Sequence, residues 1–249
     1  ERWCAGCRIG SLEILDSRVV SGSLGPESLS GQRVERVWRR AKLGIIELED
    51  SALVFHLRMT GQWLVEGRGA RLRRVRARLV ITDGPVLLFD DSRCLGRLEI
   101  CALKELESVL EARGLGPEPW PERRDGAWWK ARLHGLRGPI KPALMRQDRV
   151  AGLGNIAGSE ICFRSGIDPT RKVSSLTETE WAGLSEAAHR YIDSTLEAED
   201  SGDLIYIQHG GVNPFQIYGR CDACVRCGGR VERFVQSGRA TWWCSGCQV

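Results

Sequence analysis

Residues 224–247 read CVRCGGRVERFVQSGRATWWCSGC, and the cysteines at the two ends of this stretch decide how it folds. Two C-x2-C pairs, Cys224 with Cys227 and Cys244 with Cys247, are separated by sixteen residues. This spacing is typical of a zinc ribbon, in which two tight turns present four thiolates to one tetrahedral metal ion. Two disulfides or four unrelated buried thiols are the alternatives. The sequence favours one structural zinc ion bound by all four cysteines.

The charge of the chain is unevenly placed. The net charge is only +4 over 249 residues, but Gly67–Arg78 holds six arginines and no acid. Arg33–Lys42 is also basic, whereas Glu178–Asp203 holds eight acids and one base. Basic stripes beside a separate acidic face indicate a polyanionic partner. Solvated surface charge is the alternative interpretation.

The composition is that of a globular protein. Hydrophobic residues make up 42% and charged residues 27%, and the length suits two domains or one domain with small modules. No apolar run approaches the roughly 18 residues of a membrane span, and we expect no signal peptide at Glu1–Cys4. Ten cysteines, four of them in a metal pattern, favour a reducing compartment. The other C-x2-C, Cys4 with Cys7, has no matching pair nearby, and we expect it to be incidental.

The first half of the chain is predicted to form β-strands. Short β-branched or alternating segments are found at Gly44–Glu49, Leu53–Leu57, Val75–Ile81 and Val86–Phe89. Turn residues at Glu49–Asp50 and Asp83–Gly84 predict hairpins, and therefore an antiparallel sandwich or barrel. We expect a helix from Arg2 to about Leu15 and another at Leu103–Arg113.

The second half is predicted to be helical after a linker at Leu115–Pro119. Thr177 and Glu180 form a capping-box pattern ahead of apolar residues that recur at helical spacing from Trp181 to Leu196. Two shorter helices are expected between Ile140 and Gly166, on either side of a glycine-rich turn.

That turn, Gly152–Ile156 (GLGNI), is a candidate for anion binding. Asn155 lies at or near the N-cap of the following helix, where backbone amides and the helix dipole favour an anion. Lys141 stands at the start of the preceding helix, so both side chains can reach the same phosphates. A plain packing turn between helices is the alternative.

Two further basic residues are candidates for chemistry. Arg239 lies in the ribbon hairpin, where a charged planar guanidinium suits phosphate binding. Lys42 precedes an apolar strand. It is either a snorkelling surface lysine or a catalytic lysine in a partly desolvated pocket.

The turns HLRMTG (His56–Gly61) and DSRCLG (Asp91–Gly96) each follow a predicted strand. If the two turns are neighbours, Met59, Arg93 and Leu95 project together. Two apolar side chains with an arginine are suited to fill the gap that an extruded base leaves in the DNA stack. The arginine would then pair with the base on the opposite strand that has lost its partner. Met59 and Leu95 as ordinary core residues are the alternative.

In order and spacing these motifs resemble one family, the formamidopyrimidine-DNA glycosylases, over almost the whole chain. The matching segments are RRAK (Arg39–Lys42), HLRMTG, DSRCLG, LGPEP (Leu115–Pro119), IKPALM (Ile140–Met145), GLGNI, SE (Ser159–Glu160), GIDP (Gly166–Pro169), IYGR (Ile217–Arg220) and GRATWWCSGCQ (Gly238–Gln248). The related endonuclease VIII group shares the helix-two-turn-helix and the ribbon, and an endonuclease VIII-like glycosylase for oxidised pyrimidines is the alternative. LGPEP, HLRMTG and the arginine of DSRCLG favour the first group.

The resemblance implies an α+β protein with an N-terminal antiparallel β-sandwich in residues 1–114, a helix-two-turn-helix domain in residues 115–215 and a C-terminal β-hairpin zinc ribbon in residues 216–249. It also implies base-excision repair. The enzyme would flip an oxidised purine (8-oxoguanine or a formamidopyrimidine) out of damaged double-stranded DNA, cleave the glycosidic bond and nick the abasic site. We expect a monomer in the bacterial cytoplasm, associated with the nucleoid and not with a membrane.

Roles for single residues follow from the resemblance. Lys42 would contact the lesion strand and assist proton transfer, and Arg239 would be catalytic by holding the phosphate beside the lesion. Met59, Arg93 and Leu95 would fill the void. The remaining DNA-binding residues would be His56, Arg74, Arg137, Lys141 and Asn155, together with Arg93.

The start of the sequence departs from the family pattern. The family nucleophile is the secondary amine of an N-terminal proline in a start resembling PELPEV, whereas this sequence begins ERW and its first proline is Pro26. Alignment through Ser17–Val20 places Glu1 several residues after the expected proline, so we expect the family start to precede the residues given. The chain as written is expected to bind lesions without the usual lyase chemistry. Smaller departures are Leu95, where the family usually has phenylalanine, and Ala157, where tyrosine is common; at Arg74 the family usually has histidine.

Two other hypotheses stay open on the sequence. One is a non-catalytic DNA-damage binder on the same scaffold. The other is a zinc-ribbon nucleic-acid module joined to an unrelated β-domain, which the ordered run of motifs disfavours.

Overall fold

A computed structural model describes residues 3–67, 72, 74–200 and 215–249. The chain divides into two compact units, Glu1–Gly114 and Leu115–Val249. Of the basic run at Gly67–Arg78, the residues Arg68, Arg71 and Arg73 lie outside the described part.

The first unit is a β-sandwich. Its strands are β1 Ile9–Ile14, β2 Val20–Gly22, β3 Val34–Arg40, β4 Leu43–Leu48, β5 Ser51–His56, β6 Gly61–Val65, β7 Val75–Ile81, β8 Val86–Asp91 and β9 Arg97–Ala102. One sheet has the order β1-β7-β8-β6 and the other β2-β9-β5-β4-β3. The pairing is antiparallel except between β2 and β9. Side chains of both sheets meet in one core that includes Leu79, Phe89, Leu53 and Ile100.

The predicted hairpins at residues 49–50 and 83–84 are confirmed as the β4–β5 and β7–β8 connections. The predicted helix from Arg2 to Leu15 is wrong, because Ile9–Ile14 forms β1 against β7. The pairing register shifts between Ile9 and Ser11, and both Ile9 and Leu12 are buried. A bulge therefore places core residues three positions apart, which imitates helical periodicity. The predicted helix at Leu103–Arg113 is found as a short 3-10 turn followed by α1, Leu106–Glu111.

The second unit is a helical bundle followed by a hairpin. Its elements are α2 Gly126–Leu133, α3 Ile140–Leu144, α4 Asn155–Ser165, α5 Glu178–Asp200, β10 Glu232–Gln236 and β11 Arg239–Trp243. The helices enclose a core that includes Trp129, Leu144 and Ile161. The predicted capping box is confirmed: Glu180 accepts a hydrogen bond from the Thr177 N–H at 2.8 Å, and the Thr177 hydroxyl accepts one from the Glu180 N–H at 3.3 Å.

Within the described ranges, no helix has both the length and the apolar character that crossing a bilayer would require.

Candidate nucleic-acid interface and metal site

The four cysteines of the ribbon meet at one point. The Sγ atoms of Cys224 and Cys247 are 3.8 Å apart, those of Cys227 and Cys244 are 3.5 Å apart, and all four lie within 4.8 Å of one another. Four thiolates about 2.3 Å from one tetrahedral ion lie about 3.8 Å apart, whereas a disulfide requires about 2.05 Å. The arrangement therefore fits a single zinc-sized ion, and the four sulfurs complete its tetrahedral coordination.

Backbone amides support the sulfur atoms. The Arg226 N–H points at Cys224 Sγ at 3.5 Å, and the Gly229 N–H points at Cys227 Sγ at 3.4 Å. Such hydrogen bonds stabilise the negative charge of a thiolate, so the first turn of the ribbon (the first knuckle, residues 224–229) favours deprotonated cysteines.

Lys141, on α3, is a buried cation with only 1% of its surface exposed. Its Nζ donates to Asn155 Oδ1 and to Thr241 Oγ1, each at 2.7 Å, and approaches the Ala240 carbonyl at 3.5 Å. All three acceptors are uncharged. Burial lowers the Lys141 pKa to about 8; the thiol of Cys162 acts in the opposite direction, and the charge of Arg239 lowers it further. The group is a positive charge that its hydrogen-bond partners leave uncompensated.

Asn155 is the first residue of α4 rather than its N-cap, which is Gly154. Its amide donates to the Ala240 carbonyl at 2.9 Å, so the same side chain binds Lys141 and the ribbon. Lys141 and Asn155, which the sequence predicts to reach the same phosphates, are thus hydrogen-bonded to each other, and the ribbon hairpin is part of the same cluster.

Arg239 begins β11, directly after the hairpin turn. Ser237 and Gly238 both have positive φ, as a two-residue turn of this kind requires. The Arg239 side chain is exposed, and its charge acts on Lys141. Arg137 is exposed in the segment between α2 and α3. The hairpin thus presents an exposed guanidinium one residue before Ala240, whose carbonyl lies against the buried Lys141.

In the first unit, the two predicted turns are neighbours because one carboxylate joins them. Asp91, fully buried, accepts a hydrogen bond from the Thr60 hydroxyl, and it also accepts the N–H groups of Arg93 at 3.2 Å and Gly96 at 2.7 Å. Burial alone would raise the pKa of the Asp91 carboxyl, but these hydrogen bonds outweigh it and lower the pKa. A Cβ at Gly96 would lie 2.5 Å from the Phe89 ring, so the turn needs glycine there.

Met59 and Arg93 project together from the two turns. Arg93 Nη1 lies 3.9 Å from Met59 Sδ. Met59 is 65% exposed and Leu95 is 42% exposed, which is unusual for large apolar side chains. The core alternative for these two residues is therefore wrong, and the surface carries an apolar tip with an arginine beside it.

His56 ends β5 and is held neutral. Its Nδ1 accepts the Arg58 N–H at 2.9 Å, so the ring proton is on Nε2. Burial, with the charges of Arg58, Lys42 and Arg113, lowers the His56 pKa to about 4. At neutral pH the ring offers one N–H donor and no charge.

Lys42 and Arg74 are both exposed in the first unit. Lys42 lies in the two-residue turn between β3 and β4, next to Ala41, whose φ of 53° is rare for a residue with a side chain. Such conformations persist where the surroundings enforce them, often at functional sites. The Arg74 N–H donates to Asp90 at 2.5 Å, which fixes the backbone ahead of β7.

Sequence reasoning missed the residues that hold these groups in place. Fully buried Glu160 accepts the backbone N–H groups of residues 216–218 at 3.0, 2.9 and 2.9 Å. Gln248, also buried, joins Cys244 to Ile167 through hydrogen bonds of 2.9 Å each. Buried polar residues in otherwise apolar segments were the available signal, but their partners are distant in sequence.

Two protein-family models match the chain, one in each of its two compact units. The family model for the formamidopyrimidine-DNA glycosylase N-terminal domain matches residues 1–98, and the model for the H2TH domain of the same enzymes matches residues 115–205.

Curated relatives match over most of their length. The formamidopyrimidine-DNA glycosylase of Cereibacter sphaeroides is 37% identical over 244 residues, covering 89% of this chain and 85% of the relative. That of Bacillus licheniformis is 31% identical over 254 residues, covering 98% and 92%.

Solved structures match the whole chain. The Lactococcus lactis enzyme bound non-covalently to DNA with an AP site superposes with a TM-score of 0.86 at 27% identity, covering 100% of this chain and 94% of that one. The same enzyme with DNA containing FAPY-dG gives 0.86 at 28%, covering 100% and 95%. MutM in complex with DNA containing carbocyclic 8-oxo-G gives 0.87 at 28%, covering 100% and 94%.

Proposed function

The chain belongs to the formamidopyrimidine-DNA glycosylase family, and we propose that it acts in base-excision repair on damaged double-stranded DNA. It removes oxidised purines and nicks the abasic site. The observation that carries this proposal is the pairing of Met59 with Arg93 on two turns that Asp91 joins. The relatives and the DNA-bound structures named above support oxidised purines as the substrate class.

Extrusion of a base leaves a gap in the stack that must be filled. Met59 and Leu95 are exposed apolar side chains suited to inserting into that gap. Arg93 lies beside Met59 and has donors for the base left without a partner. The wedge stabilises the flipped state because it replaces part of the stacking that extrusion removes.

Phosphate binding falls to groups in both units. In the second unit, Lys141, Asn155 and Arg239 form one cluster in which an uncompensated ammonium lies close to an exposed guanidinium. A phosphate there supplies a counter-charge that the neutral acceptors of Lys141 in the described residues do not provide. Arg137 adds an exposed guanidinium nearby in sequence to α3. In the first unit, neutral His56 can donate through Nε2, and Arg74 adds exposed positive charge.

Zinc is the metal that the ribbon is suited to hold. Four cysteine sulfurs at the observed separations match a closed tetrahedral site, which is structural and not catalytic. When bound, the ion would fix the two knuckles and so the base of the hairpin. Strand β11, which begins at Arg239 directly after the hairpin turn, also carries Thr241, whose hydroxyl accepts a hydrogen bond from Lys141.

Catalysis in this family uses the amine of an N-terminal proline, and the first proline within residues 1–249 is Pro26. A secondary amine with a pKa near neutrality attacks the sugar C1′ as the glycosidic bond breaks and the base leaves with a proton. Opening of the C1′–O4′ bond gives an iminium, which accepts the electron pair when a C2′ proton is removed and the 3′ phosphate is expelled by β-elimination. In this proposal Lys42 assists proton transfer at the lesion strand, and Arg239 holds the adjacent phosphate.

The test is a paired binding and trapping experiment. Residues 1–249 are titrated with duplexes containing 8-oxoguanine, a tetrahydrofuran abasic analogue or no lesion. Tighter binding to both damaged duplexes is expected, and equal binding to all three would overturn the proposal. Borohydride trapping is then run on the same chain with and without an added PELPEV start. We expect a covalent adduct only with the added start; an adduct on residues 1–249 that disappears in Lys42→Ala would identify lysine as the nucleophile.

A further inference from the structure

Arg76 is a buried arginine at an irregular point of β7. The pairing of β7 with β8 steps from Val75–Asp90 to Ala77–Phe89, so Arg76 is the extra residue of a β-bulge. Bulges redirect a side chain and are common beside functional sites. The Arg76 side chain is 4% exposed, although its neighbour along the same strand, Arg78, is 36% exposed.

The guanidinium of Arg76 joins three parts of the first unit. Nη1 binds Asp16 Oδ2 at 2.6 Å, Nε donates to the Asp91 carbonyl at 2.8 Å, and Nη2 donates to the Ser92 carbonyl at 3.3 Å. The backbone carbonyl of Arg76 accepts the N–H groups of Leu15 and Asp16 at 2.8 and 3.1 Å. The backbone carbonyl of Arg76 therefore holds the chain after β1, and its guanidinium holds the start of the Asp91–Gly96 turn.

The acidic partner is itself fixed. Asp16 also accepts three hydrogen bonds from exposed Arg18, one from its backbone N–H at 3.2 Å and two from its guanidinium at 2.9 and 2.7 Å. The thiol of Cys94, within the turn, lies 3.7 Å from Asp16 Oδ2. Asp16 thus fixes the position of the Arg76 guanidinium. That guanidinium in turn holds the carbonyls of Asp91 and Ser92, the two residues directly before Arg93.

A purely stabilising role explains this arrangement poorly. A buried ion pair gains little over apolar residues of similar volume, because desolvating both charges offsets their attraction. Its better use is geometric, since a planar guanidinium with several donors fixes the acceptors relative to one another. Here the fixed acceptors are the carbonyls of Asp91 and Ser92, which set the direction in which the turn leaves the sheet.

We propose that Arg76, anchored by Asp16, is a positioning residue for the Asp91–Gly96 turn and sets how strongly the protein discriminates the base opposite a lesion. This inference rests on the proposed function. Arg93 must reach the orphaned base at a defined angle, because hydrogen bonds to base edges are directional. A turn that moves by a fraction of an ångström still fills the gap with Met59 and Leu95, but it no longer presents Arg93 to one base in preference to another.

The experiment measures binding of residues 1–249 to four duplexes that carry a tetrahydrofuran abasic analogue opposite A, C, G or T. The quantity compared is the ratio of the weakest to the tightest Kd. Arg76→Met keeps the length of the side chain and removes its donors. Asp16→Asn keeps shape and an acceptor oxygen, and it serves if Arg76→Met does not fold. Arg78→Met is the matched control, because Arg78 lies on the same strand but pairs with Glu13 and Glu66.

Arg93→Ala provides the reference for complete loss of base reading. We expect Arg76→Met to lower the ratio about fivefold, from misplacement of a directional contact, and Asp16→Asn to lower it less. The Arg78→Met ratio should match the wild type. Thermal melting confirms that each variant is folded.

Three results would overturn the inference. One is an unchanged ratio in Arg76→Met and Asp16→Asn while Arg93→Ala loses it, which leaves the proposed function intact. Another is an equal loss of affinity for all four duplexes, which indicates a structural role alone. The last is a wild-type chain that binds abasic duplexes tightly without preference for the opposite base. If the wild type binds abasic and undamaged duplexes equally, the proposed function itself fails.

Discussion

The affinity of the protein for damaged DNA should fall as the pH rises from about 7 to about 9. The cause is Lys141, whose pKa is lowered to about 8 by burial among neutral acceptors. A bound phosphate adds a negative partner and raises that pKa, so the complex holds its proton where the free protein releases it. Binding then takes up a proton, and by linkage the affinity decreases with pH.

The size of the effect follows from the fraction of protein that carries the charge. With a pKa of about 8, roughly nine-tenths of Lys141 is protonated at pH 7 and roughly one-tenth at pH 9. If the bound form stays protonated throughout, Kd rises about tenfold over this range, which corresponds to about 1.4 kcal/mol. The pKa of His56 lies well below this range, at about 4, so that ring does not titrate here.

The assay is fluorescence anisotropy with a tetrahydrofuran-containing duplex at constant ionic strength. Lys141→Arg should bind with an affinity that changes little with pH, because arginine stays charged. Lys130→Met, which removes a surface lysine paired with Glu178, should keep the wild-type slope. A wild-type Kd that is constant over the range would refute this reasoning, as would the same decline in Lys141→Arg.

Three further predictions concern the ribbon and its support. Cys244→Ser or chelation should release zinc and abolish DNA binding, because a structural zinc site contributes folding energy directly; elemental analysis that finds no zinc in DNA-binding wild-type protein would contradict this. Arg239→Ala should reduce the slope of log K against log salt by about one and weaken all duplexes similarly; a salt titration with an unchanged slope would exclude a phosphate contact. Glu160→Gln should lower the free energy of unfolding by about 2 to 4 kcal/mol, because its NH2 group replaces one of the two acceptor oxygens and then faces at least one backbone N–H of residues 216–218. Denaturant unfolding measures this change, and Glu186→Gln, on the exposed face of α5, is the control.

The parts of the fold that could be predicted are those whose signal is local. The ribbon follows from the spacing of four cysteines, because a tetrahedral ion constrains ligands that lie close in sequence. The capping box at Thr177 and Glu180 also involves residues three positions apart, and the structure has both of its hydrogen bonds. The hairpin turns at residues 49–50 and 83–84 follow from turn residues between alternating strands.

The parts that could not be predicted depend on long-range contacts or irregular geometry. A bulge between Ile9 and Ser11 hid strand β1 behind a helical spacing. The partners of Glu160 lie more than fifty residues later in the chain, and Asp16 and Arg76 are 60 apart. A sequence pattern shows that a polar residue lies in an apolar segment. It does not show which distant groups form the hydrogen bonds that offset the cost of burying that residue.

The basic run near β7 shows why counting charges is a weak guide to a nucleic-acid surface. Among its described arginines, Arg76 is buried against Asp16, and Arg78 pairs with Glu13 and Glu66, so both are largely compensated within the protein. Lys141 belongs to no basic run, yet its acceptors are all neutral and its burial makes the missing counter-charge costly. A phosphate stabilises such a group more than it stabilises a solvated surface arginine, because the attraction acts in a low dielectric. The strongest phosphate site is therefore expected at Lys141, where a buried cation has only neutral hydrogen-bond acceptors among the described residues. The pH dependence of binding distinguishes that site from the exposed arginines.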